Sequence, residues 1–164
     1  MMVAPQTRLA RLDDADAIAD MSRLYVEQGL GWSWTADRVR GCIRHDATNV
    51  AVLHEGSQLV GFGIMQYGDD AAHLSLLAVR PGRRRQRLGS HVVGWLEACA
   101  RTAALSCIHV EARADNAGAV AFYHSLGFAT VGRVAGYYSG RIDAVRLRKN
   151  LHDAAGSHLT DGAR

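Results

Sequence analysis

Residues 73–112 constrain the fold more than any other part of the chain. HLSLLAV (73–79) reads as a strand, and LGSHVVGWLEACARTAA (88–104) carries Leu88, Val92, Val93, Leu96, Cys99 and Ala100 at helical spacing. SCIHVEA (106–112) reads as a second strand. A strand, a crossover helix and a strand in one sheet leave the two strands parallel. The connecting loop, within RPGRRRQRLG (80–89), holds five arginines in ten residues and enters the helix directly.

That junction is an anion site by construction. The first helical turn has unpaired backbone N–H groups, and the helix dipole adds partial positive charge there. Arg84, Arg85 and Arg87 can add full charges, and Gly89 allows close backbone approach. The chemistry suits a phosphate or pyrophosphate, although neither GxxxxGK[ST] nor GxGxxG occurs. From charge alone, a solvated basic loop or an RNA contact fits as well. The net charge is only +3 and the excess is local, so a small partner is favoured over nucleic acid.

The remaining pattern is β-α-α-β-β before the crossover and α-β-β after it. TRLARL (7–12) alternates as a strand. Asp13 or Asp14 then caps a helix with Ala17, Ile18, Met21, Leu24 and Tyr25 on one face. QGLGWSW (28–34) is a loop with two exposed tryptophans, and Thr35 caps a helix to about Arg44. NVAVLHE (49–55) and QLVGFGIMQY (58–67) form a hairpin. Asn116 to Ser125 is a short helix stopped at Gly127, and FATVGRV (128–134) and IDAVRLR (142–148) are strands around GYYSG. Residues 1–6 and 152–164 are expected to be a disordered N-terminus and a flexible tail.

Length and composition exclude several classes. With 164 residues, 48% hydrophobic and 21% charged, the chain can bury one sizeable core. Cys42, Cys99 and Cys107 form no CxxC pair and the eight histidines no HExxH pair, so neither a disulfide framework nor a metal is expected. The N-terminus lacks a signal-peptide apolar core and no run suits a membrane span, which makes the cytoplasm the expected location.

Two stretches carry a family resemblance. LAVRPGRRRQRLGSHVV resembles the acetyl-CoA pyrophosphate loop of the GNAT acetyltransferase superfamily, in which hydrophobic-Ala-Val-x-Pro leads into [Q/R]-x-x-G-x-[G/A] and a helix. Arg84 stands for the leading residue, Gly89 for the last small one, and Arg87 departs from the usual first glycine. If that position needs a positive φ, Arg87 carries strain. VEARADNAGAVAFYHSLGF (110–128) resembles the family's N-x-x-A-x-x-[FL]-Y-x-x-x-G-F, and the motifs are like those of ribosomal-protein alanine and other protein N-terminal acetyltransferases.

The resemblance implies an α/β (α+β) fold: a mixed, mostly antiparallel sheet of six to seven strands with about four helices and a central parallel pair around the cofactor cleft. It implies one acetyltransferase domain over 7–151. Acetyl-CoA is the implied cosubstrate, held by the backbone of Leu77, Ala78 and Val79, by Arg84, Arg85, Gln86, Arg87, Leu88, Gly89 and Ser90, and by Asn116. Asn116 is also a plain helix-cap candidate.

Acetyl transfer to an amine needs a proton acceptor and an acid for the leaving thiolate. Glu111, five residues before Asn116, holds the place of the family's general base, and Tyr123 that of the general acid. Taken bare, the first is a strand carboxylate sharing a face with His109, and the second a core tyrosine. His109 and His124 rank below Glu111 as bases. GLGWSWT (29–35) and GYYSGRIDAVRLRKNL (136–151) resemble the acceptor wall and closing hairpin of N-terminal acetyltransferases. They offer Trp32, Trp34, Tyr137 and Tyr138 either to the substrate or to packing.

The expected function is therefore an acetyl-CoA-dependent N-acetyltransferase acting by direct transfer on a protein or peptide α-amine. The alternatives are acetylation of a polyamine, aminoglycoside or amino-acid derivative, and a non-catalytic acyl-CoA- or RNA-binding module. Nucleic acid and membrane are not expected as partners, and the chain is expected to be a monomer or a homodimer.

Overall fold

The structure, a computed structural model, describes residues 5–82 and 87–152. Seven strands form one sheet: β1 (Gln6–Leu9), β2 (Thr48–Glu55), β3 (Gln58–Tyr67), β4 (Ala71–Val79), β5 (Cys107–Arg113), β6 (Ala129–Tyr138) and β7 (Ile142–Asn150), in the order β1-β2-β3-β4-β5-β7-β6. Among the described residues only β4 and β5 pair in parallel. The helix between them, α3 (Leu88–Thr102), is the crossover that the sequence predicts. The other helices are α1 (Ala15–Tyr25), α2 (Ala36–Arg44) and α4 (Ala117–Ser125). The mixed sheet with four helices matches the expected fold class.

Two cores cover the two faces. Leu88, Val92, Leu96 and Ala100 of α3 pack with Leu74, Ile108, Val110, Tyr123, Phe128 and Leu147. On the other face Ile18 and Met21 of α1 and Val39 of α2 pack with Val52, Phe62, Ile64 and Leu76. Strand β3 is buried on both faces from Leu59 to Met65, which explains its unbroken apolar run. Gly63 lets α3 settle close: a Cβ there would lie 2.9 Å from both Leu96 Cδ1 and Val92 Cγ1.

Several local expectations are corrected. Strand β1 ends at Leu9, and Leu12–Asp14 form a single 3-10 turn. Neither Asp13 nor Asp14 caps α1 through its side chain; the Asp14 carboxylate instead accepts from Arg11 N (2.7 Å) and Arg8 Nη1 (2.9 Å). The buried face of α1 is Ala15, Ile18, Ala19, Met21 and Ser22, while Ala17 and Leu24 face solvent. Thr35 does cap α2, accepting from Arg38 N, and Gly127 (φ +94°) does stop α4. Strand β6 runs through Tyr138, so both tyrosines of GYYSG are strand residues.

One irregularity positions everything that follows. Ile64 pairs with Leu76 but Met65 pairs with Leu74, so β4 carries an extra residue, Ser75. A regular strand would put Leu74, Leu76 and Ala78 on one face. The bulge instead turns Leu74 toward α3 and Leu76 and Ala78 toward α1 and α2.

Candidate active site

The parallel ladder is short. It runs from Ala71 opposite Cys107 to Leu74 opposite Val110 and stops there. Strand β4 continues through Ser75–Val79 and β5 through Glu111–Arg113, but these limbs pair with β3 and β7 only. The sheet therefore forks just past Leu74 and Val110. Along the fork, the β4 backbone at Leu77, Ala78 and Val79 has an edge with no strand on it among the described residues. Such an edge can hydrogen-bond an extended ligand as a strand would.

Glu111 stands at the apex of the fork, on the face away from α3. Its Oε2 is 2.5 Å from His73 Nε2 on β4, and its Oε1 accepts from Arg146 Nε at 3.3 Å. The side chain is only 9% exposed. Burial works to raise the carboxyl's pKa, but the hydrogen bonds and charges of His73 and Arg146 outweigh it and hold the group below its ordinary value. His109 shares the strand face, as expected, but sits in the paired part of the ladder with Nε2 3.5 Å from Cys107 Sγ. Burial, then Arg148, keeps its ring below the ordinary histidine value. His124 lies on the exposed side of α4 against Thr130 Oγ1 (2.9 Å), remote from this chemistry.

Tyr137 and Tyr138 lie beside the same apex. Tyr138 donates its hydroxyl to the Glu111 carbonyl at 3.2 Å and meets Tyr137 edge to face, with centroids 4.9 Å apart. Tyr123 is buried between Phe122 and Phe128, in edge contacts at 5.2 and 5.5 Å. Burial, then the neighbouring Tyr138 hydroxyl, pushes the Tyr123 phenol well up, so it holds its proton until a strong base meets it. The structure thus brings Tyr137 and Tyr138 to Glu111, while Tyr123 neighbours Tyr138 from within the α3-side core.

At the N-terminus of α3, Arg87 precedes the helix in the left-handed region, φ 58° and ψ 25°, which is the strain anticipated for an arginine in a glycine's place. Arg84, Arg85 and Gln86 lie outside the described residues. Leu88 and Gly89 are buried and Ser90 is half-buried in the first turn. Gly89 has a packing role that its motif did not announce: an added Cβ would lie 3.0 Å from Phe122 Cζ. Asn116 caps α4, accepting from Ala119 N at 3.0 Å, which leaves its amide NH2 to donate elsewhere.

The tryptophans divide. Trp32 is 44% exposed beneath Arg23, as expected, whereas Trp34 is buried in the α1–α2 core with Arg38 stacked on its ring at 3.7 Å. Trp34 therefore anchors the loop 28–34 and does not line a surface. Glu27, which sequence reasoning missed, organises that loop. Nearly buried, it accepts from Ser22 Oγ (3.1 Å), Ser33 N (2.8 Å), Ser33 Oγ and Trp34 N (3.3 Å). Arg113 Nη1, at the end of β5, donates to Gln28 O at 2.8 Å and ties the loop to the fork.

The sheet forks at its parallel pair beside a nearly buried, hydrogen-bonded glutamate, and residues 15–128 match the acetyltransferase (GNAT) family. The chain belongs to that family. It is 37% identical over 102 residues to the [ribosomal protein bS18]-alanine N-acetyltransferase of Escherichia coli K12, covering 57% of this chain and 65% of that protein. It is 34% identical over 67 residues to the N-terminal acetyltransferase B complex catalytic subunit naa20 of Schizosaccharomyces pombe, covering 41% and 37%. The crystal structure of the Escherichia coli ribosomal-protein-S18-alanine N-acetyltransferase superposes with a TM-score of 0.77 at 25% identity, over 96% of this chain and all of that one. Ard1 from Thermoplasma volcanium shares the fold with a TM-score of 0.79 at 22% identity, over 90% and 98%. The match thus spans just under two thirds of the bS18-alanine enzyme's length. Among the described residues no helix is long and apolar enough to cross a membrane.

Proposed function

We propose that this chain moves the acetyl group of acetyl-CoA directly to the α-amine of a protein or peptide N-terminus. The observation that carries the reading is the fork: among the described residues the β4 edge at Leu77–Val79 has no strand on its β5 side, and Glu111 lies just past the end of the parallel ladder. The extended pantetheine arm would lie along that limb as an added strand. Its diphosphate would sit on the N–H groups of Arg87–Ser90 with help from Arg84, Arg85 and Gln86, and the Asn116 amide would donate to the arm.

The thioester carbon would then meet the incoming amine at the apex. An α-amine has a pKa of about 8, so part of it is neutral near pH 7 and reactive without a strong base. The Glu111 pole supplies the negative charge toward which the amine's proton moves, and Tyr123 protonates the departing thiolate. Trp32, Tyr137 and Tyr138 would border the acceptor channel, with Trp34 and Glu27 holding its wall. The relatives named as N-terminal and ribosomal-protein acetyltransferases support a peptide acceptor.

A mass-spectrometric screen tests this. Short peptides differing in their first residue compete with polyamines, aminoglycosides and free amino-acid derivatives for acetyl-CoA. The expected result is a single acetyl group on the α-amine of a subset of peptides. Acetylation of the free amines with the peptides untouched overturns the acceptor assignment, and stabilisation by acetyl-CoA with no product from any amine overturns catalysis.

A further inference from the structure

The face of the sheet away from α3 changes character from one half to the other. Under α1 and α2 it is apolar, and the core there contains no residue of β5, β6 or β7. On β5 and β7, Ile108, Val110 and Leu147 point into the α3 core, so strand alternation puts His109, Glu111, Arg146 and Arg148 on the opposite side. The register sets Arg146 directly across from Glu111 and Arg148 across from His109. Strand β6 then sets Gly132 beside Arg146 and Ala129 beside Arg148, residues too small to cover either guanidinium. Arg146 is 45% exposed, and Arg148 is exposed as well.

Each arginine has donors left over. Arg146 donates Nε–H to Glu111 Oε1 at 3.3 Å, and Arg148 donates Nε–H to Asn150 Oδ1 at 3.1 Å. Among the described residues the Nη groups of both make no hydrogen bond. A guanidinium in that state presents the fork that a carboxylate fills with two parallel hydrogen bonds. The residues of β5 and β7 on this face include one acid, Glu111, whose side chain is only 9% exposed. The face is therefore positive, and it adjoins the carboxylate toward which an acceptor amine has to come.

We infer that this face selects the acceptor: Arg146 and Arg148 bind an acidic side chain close to the peptide's N-terminus, so that acidic N-terminal segments are the preferred substrates. The inference rests on the acetyl-transfer reading above and narrows its substrate class. An extended chain advances about 3.4 Å per residue, so with the α-amine at Glu111 an Asp or Glu within about the first four residues comes within reach of one guanidinium or the other. Such a peptide matches the site at both ends, its ammonium attracted to Glu111 and its carboxylate to the arginines. A nucleic acid is the other anion that a basic face can hold, but it needs a longer basic stripe than two arginines on one strand.

Peptides that share one first residue and carry Asp, Asn or Lys at the second to fourth positions test this. With wild type, kcat/KM should be about 3- to 10-fold higher for the Asp peptides than for the Asn peptides and lowest for the Lys peptides, and added salt should shrink the differences. Arg148 is the residue to vary, because Arg146 also holds Glu111. Arg148→Lys, which keeps the charge, should retain most of the acid preference, Arg148→Ala should lose most of it, and Arg148→Glu should turn it toward the Lys peptides. Equal kcat/KM for Asp and Asn peptides in wild type, or an acid preference that survives Arg148→Glu, overturns the inference and leaves acetyl transfer standing. Fluorescence anisotropy of the same peptides, labelled at the C-terminus, needs no turnover and should show the Asp peptide bound more tightly than the Lys peptide. If wild type acetylates nothing, the acetyl-transfer reading fails, and the anisotropy alone decides whether the face holds an acidic peptide; equal binding of the two peptides overturns that too. A single-stranded RNA oligonucleotide that binds more tightly than the Asp peptide, and loses its affinity in Arg148→Glu, overturns the inference in favour of nucleic acid.

Discussion

Gly89 lies against the ring of Phe122: a methyl group on Gly89 would sit 3.0 Å from Cζ and 3.3 Å from Cε2. The absent side chain lets the first turn of α3 approach α4, and the same Phe122 ring meets Tyr123 edge-on. Gly89→Ala is therefore expected to destabilise the protein by about 1–3 kcal/mol through overpacking. Gly94, exposed on the same helix with nothing within 4 Å of an added methyl, should behave oppositely, with Gly94→Ala gaining about 0.5–1 kcal/mol. Urea melts of both variants check this, and a Gly89→Ala as stable as wild type contradicts the packing argument.

Arg87 occupies the left-handed region where the family motif carries glycine. That conformation costs a residue with a Cβ about 1–2 kcal/mol, and glycine gives back part of the relief through its more flexible unfolded chain. Arg87→Gly should raise stability by about 0.5–1 kcal/mol, and Arg87→Ala should not, because alanine keeps the steric conflict. The KM for acetyl-CoA should rise only slightly in Arg87→Gly, since the backbone N–H groups remain. Thermal melts and initial rates decide both halves.

Glu27 is buried, and among the described residues no cation pairs with it; serine hydroxyls and backbone N–H groups satisfy it instead. Glu27→Ala strands those donors, each worth about 1–3 kcal/mol if left unsatisfied, so the acceptor loop should loosen. The expected outcome is a marked loss of stability and a raised KM for the peptide acceptor, with the KM for acetyl-CoA little changed. Equal effects on the two constants would show that the loop does not serve the acceptor side.

The element order, the parallel pair and the strand face that Glu111 shares with His109 were legible because they follow from hydrophobic period and from a crossover of fixed kind. The fork was not. HLSLLAV alternates as a regular strand does, and nothing in Ser75 announces that one extra residue turns Leu74 and Leu76 to opposite faces. His73 escaped notice for the same reason: its meeting with Glu111 depends on a parallel register set by how α3 packs. Trp34 and Glu27 were misread or missed because loop 28–34 folds back on α1. The nearest available signal was a pair of serines, Ser22 and Ser33, flanking a lone glutamate in an apolar setting.

Acid should expose the Glu111 pair. Its folded carboxyl lies below the ordinary 4.5, so it favours the folded state above that value and loses the contribution as pH falls through the folded one. Asp14, where the Arg8 and Arg11 hydrogen bonds outweigh burial, has the same sign. Wild type should therefore lose more unfolding free energy between about pH 6 and pH 3.5 than Glu111→Gln, which retains only the Asp14 part among these two. Parallel slopes for the two proteins would mean that the His73 and Arg146 contacts do not hold the carboxylate.

Tyr123 separates packing from chemistry. Its ring is fixed by Phe122 and Phe128, and among the described residues its hydroxyl makes no hydrogen bond. Tyr123→Phe should thus melt within about 0.5 kcal/mol of wild type, as substitutions that break no contact do. A thiol of cysteine type leaves with a pKa near 8.5, below that of the phenol, so proton donation from Tyr123 has to be coupled to C–S cleavage. Removing the donor should lower kcat by about 10²-fold, with the KM for acetyl-CoA nearly unchanged. An acyl-donor thioester with a more acidic leaving thiol should narrow the gap between wild type and Tyr123→Phe, because such a thiolate departs without help. If the gap stays the same across leaving groups, the phenol acts on something other than the departing sulfur.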